Sequence, residues 1–178
     1  MFSRTGWLNI GLIAGCFAMI WPSAGVAQNC NIDRPAARDS SRFDVNGNGT
    51  VTDLESGLTW QRCPVGQQWQ HGACVGEAKL LTWSEALAMA KSASTKNAGV
   101  TSWRIPRLNE IAGIVDIRCK DPRIDLTVFP NTSAALFWTA NNTPGDGSEV
   151  FTLSFGEQGV GRSAKSEKHY VRLVKGRN

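Results

Sequence analysis

The chain has 178 residues, 42% apolar and 19% charged, with a mean hydropathy of −0.22 and a formal net charge of +4. That length suits one ordinary domain, and the composition excludes both a disordered chain and a multi-pass membrane protein. Basic residues alternate with acidic ones and no Lys/Arg run exceeds a pair, so the charge is not the footprint of a nucleic-acid binder.

The first residues read as an address. Arg4 precedes an apolar run from Leu8 to Trp21, and after Pro22 the small residues Gly25 and Ala27 occupy the positions a signal peptidase reads. Residues 1–27 therefore predict an export signal cleaved after Ala27, since the run is shorter than the ~20 residues needed to span a bilayer. The mature chain is expected in the periplasm or outside the cell, not spanning the membrane. Ile13-Ala14-Gly15-Cys16 also resembles a lipobox, which offers the alternative of a lipoprotein acylated at Cys16.

Residues 28–41 are a polar lead-in without periodicity. Beyond it, Thr50–Asp53 and Leu58–Gln61 alternate apolar and polar residues around Ser56-Gly57, predicting a hairpin with Val51, Leu58 and Trp60 facing the core. The segment from Cys63 to Cys74 holds Pro64, Gly66 and Gly72 and reads as a looped excursion. Thr82 with Glu85 forms a capping box ahead of Trp83, Ala86, Leu87 and Ala90, so a helix is predicted over 83–92. Trp103-Arg104-Ile105 is a short strand stopped by Pro106. Leu108, Ile111, Ala112 and Val115 recur at helical spacing and predict a second helix over 107–117. Prolines and isolated apolar residues make 119–135 a long irregular connection. Three strand patterns close the chain, at 136–139, 150–155 and 169–174. The fold class is α+β: a hairpin, two helices, a long loop and an antiparallel meander, as a single domain over 42–175.

Five cysteines are an odd number, but Cys16 belongs to the export segment and leaves Cys30, Cys63, Cys74 and Cys119. These lack paired Cys-x-x-Cys spacing and are expected in an oxidising compartment, which favours disulfides over a metal. Four cysteines allow three connectivities. The local ring Cys63 with Cys74 is preferred, leaving Cys30 with Cys119 to fasten the lead-in.

Phe43, Asn46-Gly47-Asn48-Gly49-Thr50-Val51-Thr52-Asp53, Gly57-Leu58-Thr59-Trp60-Gln61, Leu81-Thr82-Trp83, Trp103-Arg104-Ile105-Pro106, Asn109-Glu110-Ile111, Ile114-Val115-Asp116, Phe129-Pro130, Phe137-Trp138-Thr139 and Val171-Arg172-Leu173-Val174 follow one another in an order that resembles the Lcl C-terminal domain family. That family is named for a bacterial collagen-like adhesin. The resemblance implies a fold similar to C-type lectins and a place among exported bacterial proteins and adhesins, with sulfated polysaccharide as the ligand of the Lcl domain itself. Collagen-like repeats and the calcium-dependent sugar motifs of true C-type lectins are absent from this sequence.

Asp44, Asn46, Asn48 and Glu55 match the spacing of a calcium loop, with Gly49 at its turn position. The flanks are not helical and Asn-Gly-Asn-Gly is itself tight-turn chemistry, so a structural turn is preferred and no cofactor is assigned. His71 and His169 stand in no nucleophile motif, and the acids Glu110 and Asp116 read as a solvated helix face, so no enzyme is expected. Trp60, Trp83, Trp103 and Trp138 lie in strand or helix patterns and read as core. Trp69, among Gln67, Gln68, Gln70 and His71, reads as an exposed aromatic suited to a sugar face. The expectation is a non-catalytic exported binding or adhesion module, contacting polysaccharide or an envelope protein through Trp69, Arg104, Arg107, Asn141 and Asn142. The competing expectation is a structural or assembly component of the envelope or a surface fibre that binds other proteins.

Overall fold

Val51 and Asp53 are buried while their neighbours Thr50 and Thr52 are half-exposed, the period-two pattern that sets one strand face against a core. The computed structural model describes residues 28–31, 40–96 and 102–176; the expected export segment, with Cys16, lies outside them. Strand β1 spans Asn29–Cys30, and after a 3₁₀ turn at Ser40–Arg42 come β2 (Phe43–Val45), β3 (Thr50–Asp53) and β4 (Thr59–Gln61). A hairpin of β5 (Gln68–Gln70) and β6 (Ala73–Val75) precedes helices α1 (Trp83–Lys96) and α2 (Leu108–Ala112). Next are β7 (Cys119–Lys120), β8 (Leu136–Asn142), β9 (Glu149–Ser154), β10 (Val160–Ala164) and β11 (Val174–Lys175). One antiparallel sheet has the order β11-β4-β3-β2 and a second β10-β9-β8. The α+β architecture with a C-terminal meander is as expected.

Both cores are built from strand faces and helix stripes. Val51, Trp60 and Val174 of the first sheet meet Phe137 and Leu153 of the second, with Ile111 of α2 and Ile124, Val128 and Phe129 of the long connection filling the space. A second cluster joins Ala86 and Ala90 of α1 to Trp103, Ile105, Trp138, Val171 and Leu173. Small residues on α1 let the helix approach closely, and two indoles lock its start. Trp83 Nε1 donates to the Thr139 carbonyl and Trp138 Nε1 to the Leu81 carbonyl, at 3.2 and 2.6 Å. The capping box forms as expected, with Glu85 accepting from the Thr82 backbone at 2.8 Å.

Both disulfides form in the preferred pairing, Cys63 with Cys74 and Cys30 with Cys119. The second fastens the lead-in: β1 pairs with β7, and the Gln28 side chain donates to the carbonyls of Pro122 and Ile124.

Several expectations need correction. Helix α1 runs on to Lys96 rather than ending at 92, and the strand expected at 103–105 is only an isolated bridge of Arg104 to Val174. The second helix ends at Ala112 rather than at residue 117, because Gly113 follows. There the chain tightens into i→i+3 bonds, Ile114 to Ile111 and Val115 to Ala112, which still deliver Ile114 to the core. The third strand of the meander is Val160–Ala164, not 169–174. Residues 169 and 170 make only isolated bridges, to Leu81 and Phe137, before the chain crosses to the first sheet as β11 beside β4. Finally, the excursion between Cys63 and Cys74 contains a regular hairpin, turned by His71 and Gly72 at φ 50 and 84°.

Candidate functional site

Trp69 sits on β5, directly across from Cys74, so the Cys63–Cys74 disulfide holds the strand that carries it. The hairpin leans on the β2–β3 turn: Trp69 Nε1 donates to the Gly47 carbonyl at 3.2 Å. A Cβ on Gly49, at φ 81°, would stand 2.4 Å from the Trp69 Cβ, so only glycine allows this approach. The Arg62 guanidinium lies over the indole, 4.3 Å from its centroid, and donates to the Val128 and Thr127 carbonyls. Trp69 is thus half-buried and fixed, not a free exposed platform.

A second arginine supports the first. Arg172 is wholly buried, donates to the carbonyls of Gln61 and Arg62 and to Thr132 Oγ1, and lies 5.0 Å over Phe129. Among the described residues no carboxylate pairs with it, and burial lowers its pKa to about 9, so it remains a cation at neutral pH. Carbonyl dipoles and a ring face stand in for a counter-ion. Together the two arginines bind the long connection to β4 and to the strand behind Trp69.

The result is a cleft of about 350 Å³ between the β2–β3 turn, the disulfide hairpin and β11, walled by Trp69 and Trp103. Asn48, Gln61 and Gln67 offer amides to it. Lys175 supplies its ammonium, 5.2 Å over the Trp103 ring. No aspartate or glutamate is among the described residues that line it. Of its members only Trp69 was a ligand-contact candidate from sequence, and Asn48 was a candidate of the calcium loop. Trp103 reads as core in sequence, and at 5% exposure it is, but its ring and Lys175 also close the cleft.

The remaining candidates gather at another corner. Arg104 makes a bidentate pair with Glu110, both bonds 2.7 Å, and Glu110 also accepts from the Arg107 backbone. Burial raises the Glu110 pKa, but the bonds and charges of Arg104 and Arg107 outweigh it and hold the carboxyl below its usual range. Asn141 Oδ1 accepts from the Leu108 N–H at 2.7 Å and so caps α2. Arg107 and Asn142 are exposed. The structure therefore brings Arg104, Arg107 and Asn141 together around the start of α2, and it places Trp69 in the separate cleft.

Three of the four candidate calcium-loop side chains are committed elsewhere. Asn46 Nδ2 reaches Thr50 Oγ1 and Thr52 Oγ1, Asn48 Oδ1 accepts from Thr50, and Glu55 pairs with Arg42 at 2.7 Å. Asp44 is exposed on β2. Among the described residues no group of three or more His, Cys, Asp or Glu side chains could hold a metal.

His169 stands 2.8 Å from Ser163 Oγ and 3.3 Å from Glu167, which sequence did not connect. Both partners meet the same nitrogen, Nε2, so Glu167 does not orient the ring from the far side as a relay requires. Ser163 is also buried.

Among the described residues no helix is long and apolar enough to cross a membrane. In comparison with known proteins, residues 49–175 match the family model described as the Lcl C-terminal domain. No curated protein and no solved structure matches the chain.

Proposed function

The chain belongs to the Lcl C-terminal domain family, and from that premise we propose that it is an exported, non-catalytic module that binds acidic polysaccharide in the cleft of Trp69, Trp103 and Lys175. One observation carries the reading: this cleft combines the half-buried Trp69 indole, amides and an ammonium, with no carboxylate among the described residues that line it. A sugar ring offers apolar C–H faces to indoles and hydroxyls to amides, and an acidic group on it meets the ammonium. Glycoside hydrolysis needs two flanking carboxylates, which this lining does not supply. Two disulfides suit an oxidising compartment outside the cytoplasm. A glycan array tests it. Binding confined to sulfated or uronic chains and weakened by salt supports the reading; retention of none, or of neutral chains equally, overturns it.

A second reading has its own observation. Ala112, Val115, Ile117, Leu153 and Val160 line an apolar depression of about 330 Å³ beside β10, with Ile117 and Val160 more than half exposed. Such a surface suits another protein chain, as an envelope assembly component would require. Unchanged glycan binding in Ile117→Asp, with loss of co-purifying envelope proteins, would assign that contact.

A further inference from the structure

Beside the first cleft lies another of about 320 Å³, bounded by Lys79, by Leu173 and by Met89 and Ser92 on α1. Gln61 and Gln67 line both. Gln61 and Gln67 therefore stand at the boundary of the two clefts. Gln67 donates through Nε2 to the Gly76 carbonyl at 3.0 Å, while its enclosed Oε1 has no hydrogen-bond partner.

Charge follows the same division. Lys175 lines the first cleft and Lys79 the second, and neither makes an ion pair with another described residue. No described acid lines either. Strand β5 runs along both, placing Trp69 in the first and Gln68 in the second.

We propose, on the basis of the glycan reading above, that the two clefts form one groove for an internal stretch of an extended anionic chain. Lys175 and Lys79 meet acidic groups on separate sugar units, and Gln61 and Gln67 hydrogen-bond the chain where it crosses between them. A terminal sugar needs one cleft only; a chain that continues in both directions uses two, each about the size of a small-ligand site.

The test is a titration of the full chain with heparin-derived di-, tetra-, hexa- and octasaccharides, alongside Lys79→Glu, Lys175→Glu and, as a control of equal net charge, the exposed Lys120→Glu. Affinity is expected to rise at least about tenfold from di- to hexasaccharide and then level off. Lys79→Glu removes most of that gain and leaves the disaccharide unchanged, Lys175→Glu weakens every length, and Lys120→Glu changes little. A disaccharide that binds as tightly as the hexasaccharide overturns the groove and leaves the single-cleft reading standing. A length gain that survives Lys79→Glu, or falls equally in Lys120→Glu, overturns it too. Absence of binding at every length overturns both readings.

Discussion

Arg62 lies over Trp69, its guanidinium carbon 4.3 Å from the indole centroid, while its N–H groups hold the carbonyls of Val128 and Thr127 at 2.8 and 2.6 Å. One buried side chain between β4 and the disulfide hairpin thus ties both to the long connection, 65 and 66 residues further along the chain. Arg62→Leu keeps apolar bulk but leaves two carbonyls without a donor and the indole without its cation. The expected loss is about 2–3 kcal/mol of stability, summed from unmade hydrogen bonds and the lost ring contact. Denaturant melts and a red-shifted tryptophan emission check it; an unchanged midpoint would show that the arginine is not a support.

Removal of the Cys63–Cys74 ring, as the double alanine variant, separates the hairpin from the core. A loop of this size contributes roughly 3 kcal/mol by chain entropy, so the thermal midpoint should fall by about 6–12 °C. Ligand affinity should fall further than that loss predicts, because β5 carries one wall of the cleft. Equal affinity after the loss of the ring, measured on protein still folded, would place the ligand elsewhere.

Much of this architecture was readable because the signals were local. Thr82 and Glu85 announce the start of α1, Ser56-Gly57 the turn between β3 and β4, and the even count of cysteines beyond Cys16 the two bridges. Strand β10 was not readable: Gly161, Arg162 and Ser163 carry little apolar signal, and the pairing with β9 comes from the neighbour rather than the sequence itself. The shortened α2 shows the converse, a helical period surviving past Gly113 in a chain that has left the helix. Gln68-Trp69-Gln70 and Ala73-Cys74-Val75 around His71-Gly72 did hold an alternating hairpin pattern that Pro64 and the neighbouring glycines obscured. The cleft is the least legible feature. Asn48, Gln61, Trp103 and Lys175 meet only through tertiary pairing, Arg104 bridging Val174 and β11 lying beside β4.

His169 gives the fold a dependence on mild acid. Burial lowers its pKa, against the opposing bond and charge of Glu167, so the folded chain takes up the proton less readily than the unfolded one. Stability is then full above the ordinary histidine value and declines as pH falls through that value toward the lowered one. His169→Gln should flatten this decline between about pH 7 and 5. An identical slope in both proteins would place the sensitivity in other groups.

Glu110 acts at lower pH with the opposite chemistry. Its lowered pKa means that the stabilisation from Arg104 and the Arg107 backbone is present above the usual carboxylate range and is lost as pH falls through the folded value. Glu110→Gln should cost about 1 kcal/mol at neutral pH, because the pair is partly solvated, and should cost little below about pH 3. A constant difference across that range would mean that charge is not what the residue contributes.

Acidic glycan binding in the cleft of Trp69, Trp103 and Lys175 is tested by a calorimetric titration of the full chain with a sulfated polysaccharide at low and high salt, repeated with Lys175→Glu. Binding that weakens with salt and falls at least about tenfold in the variant, with thermal stability unchanged, is the predicted result. Binding of equal strength in both proteins would contradict it.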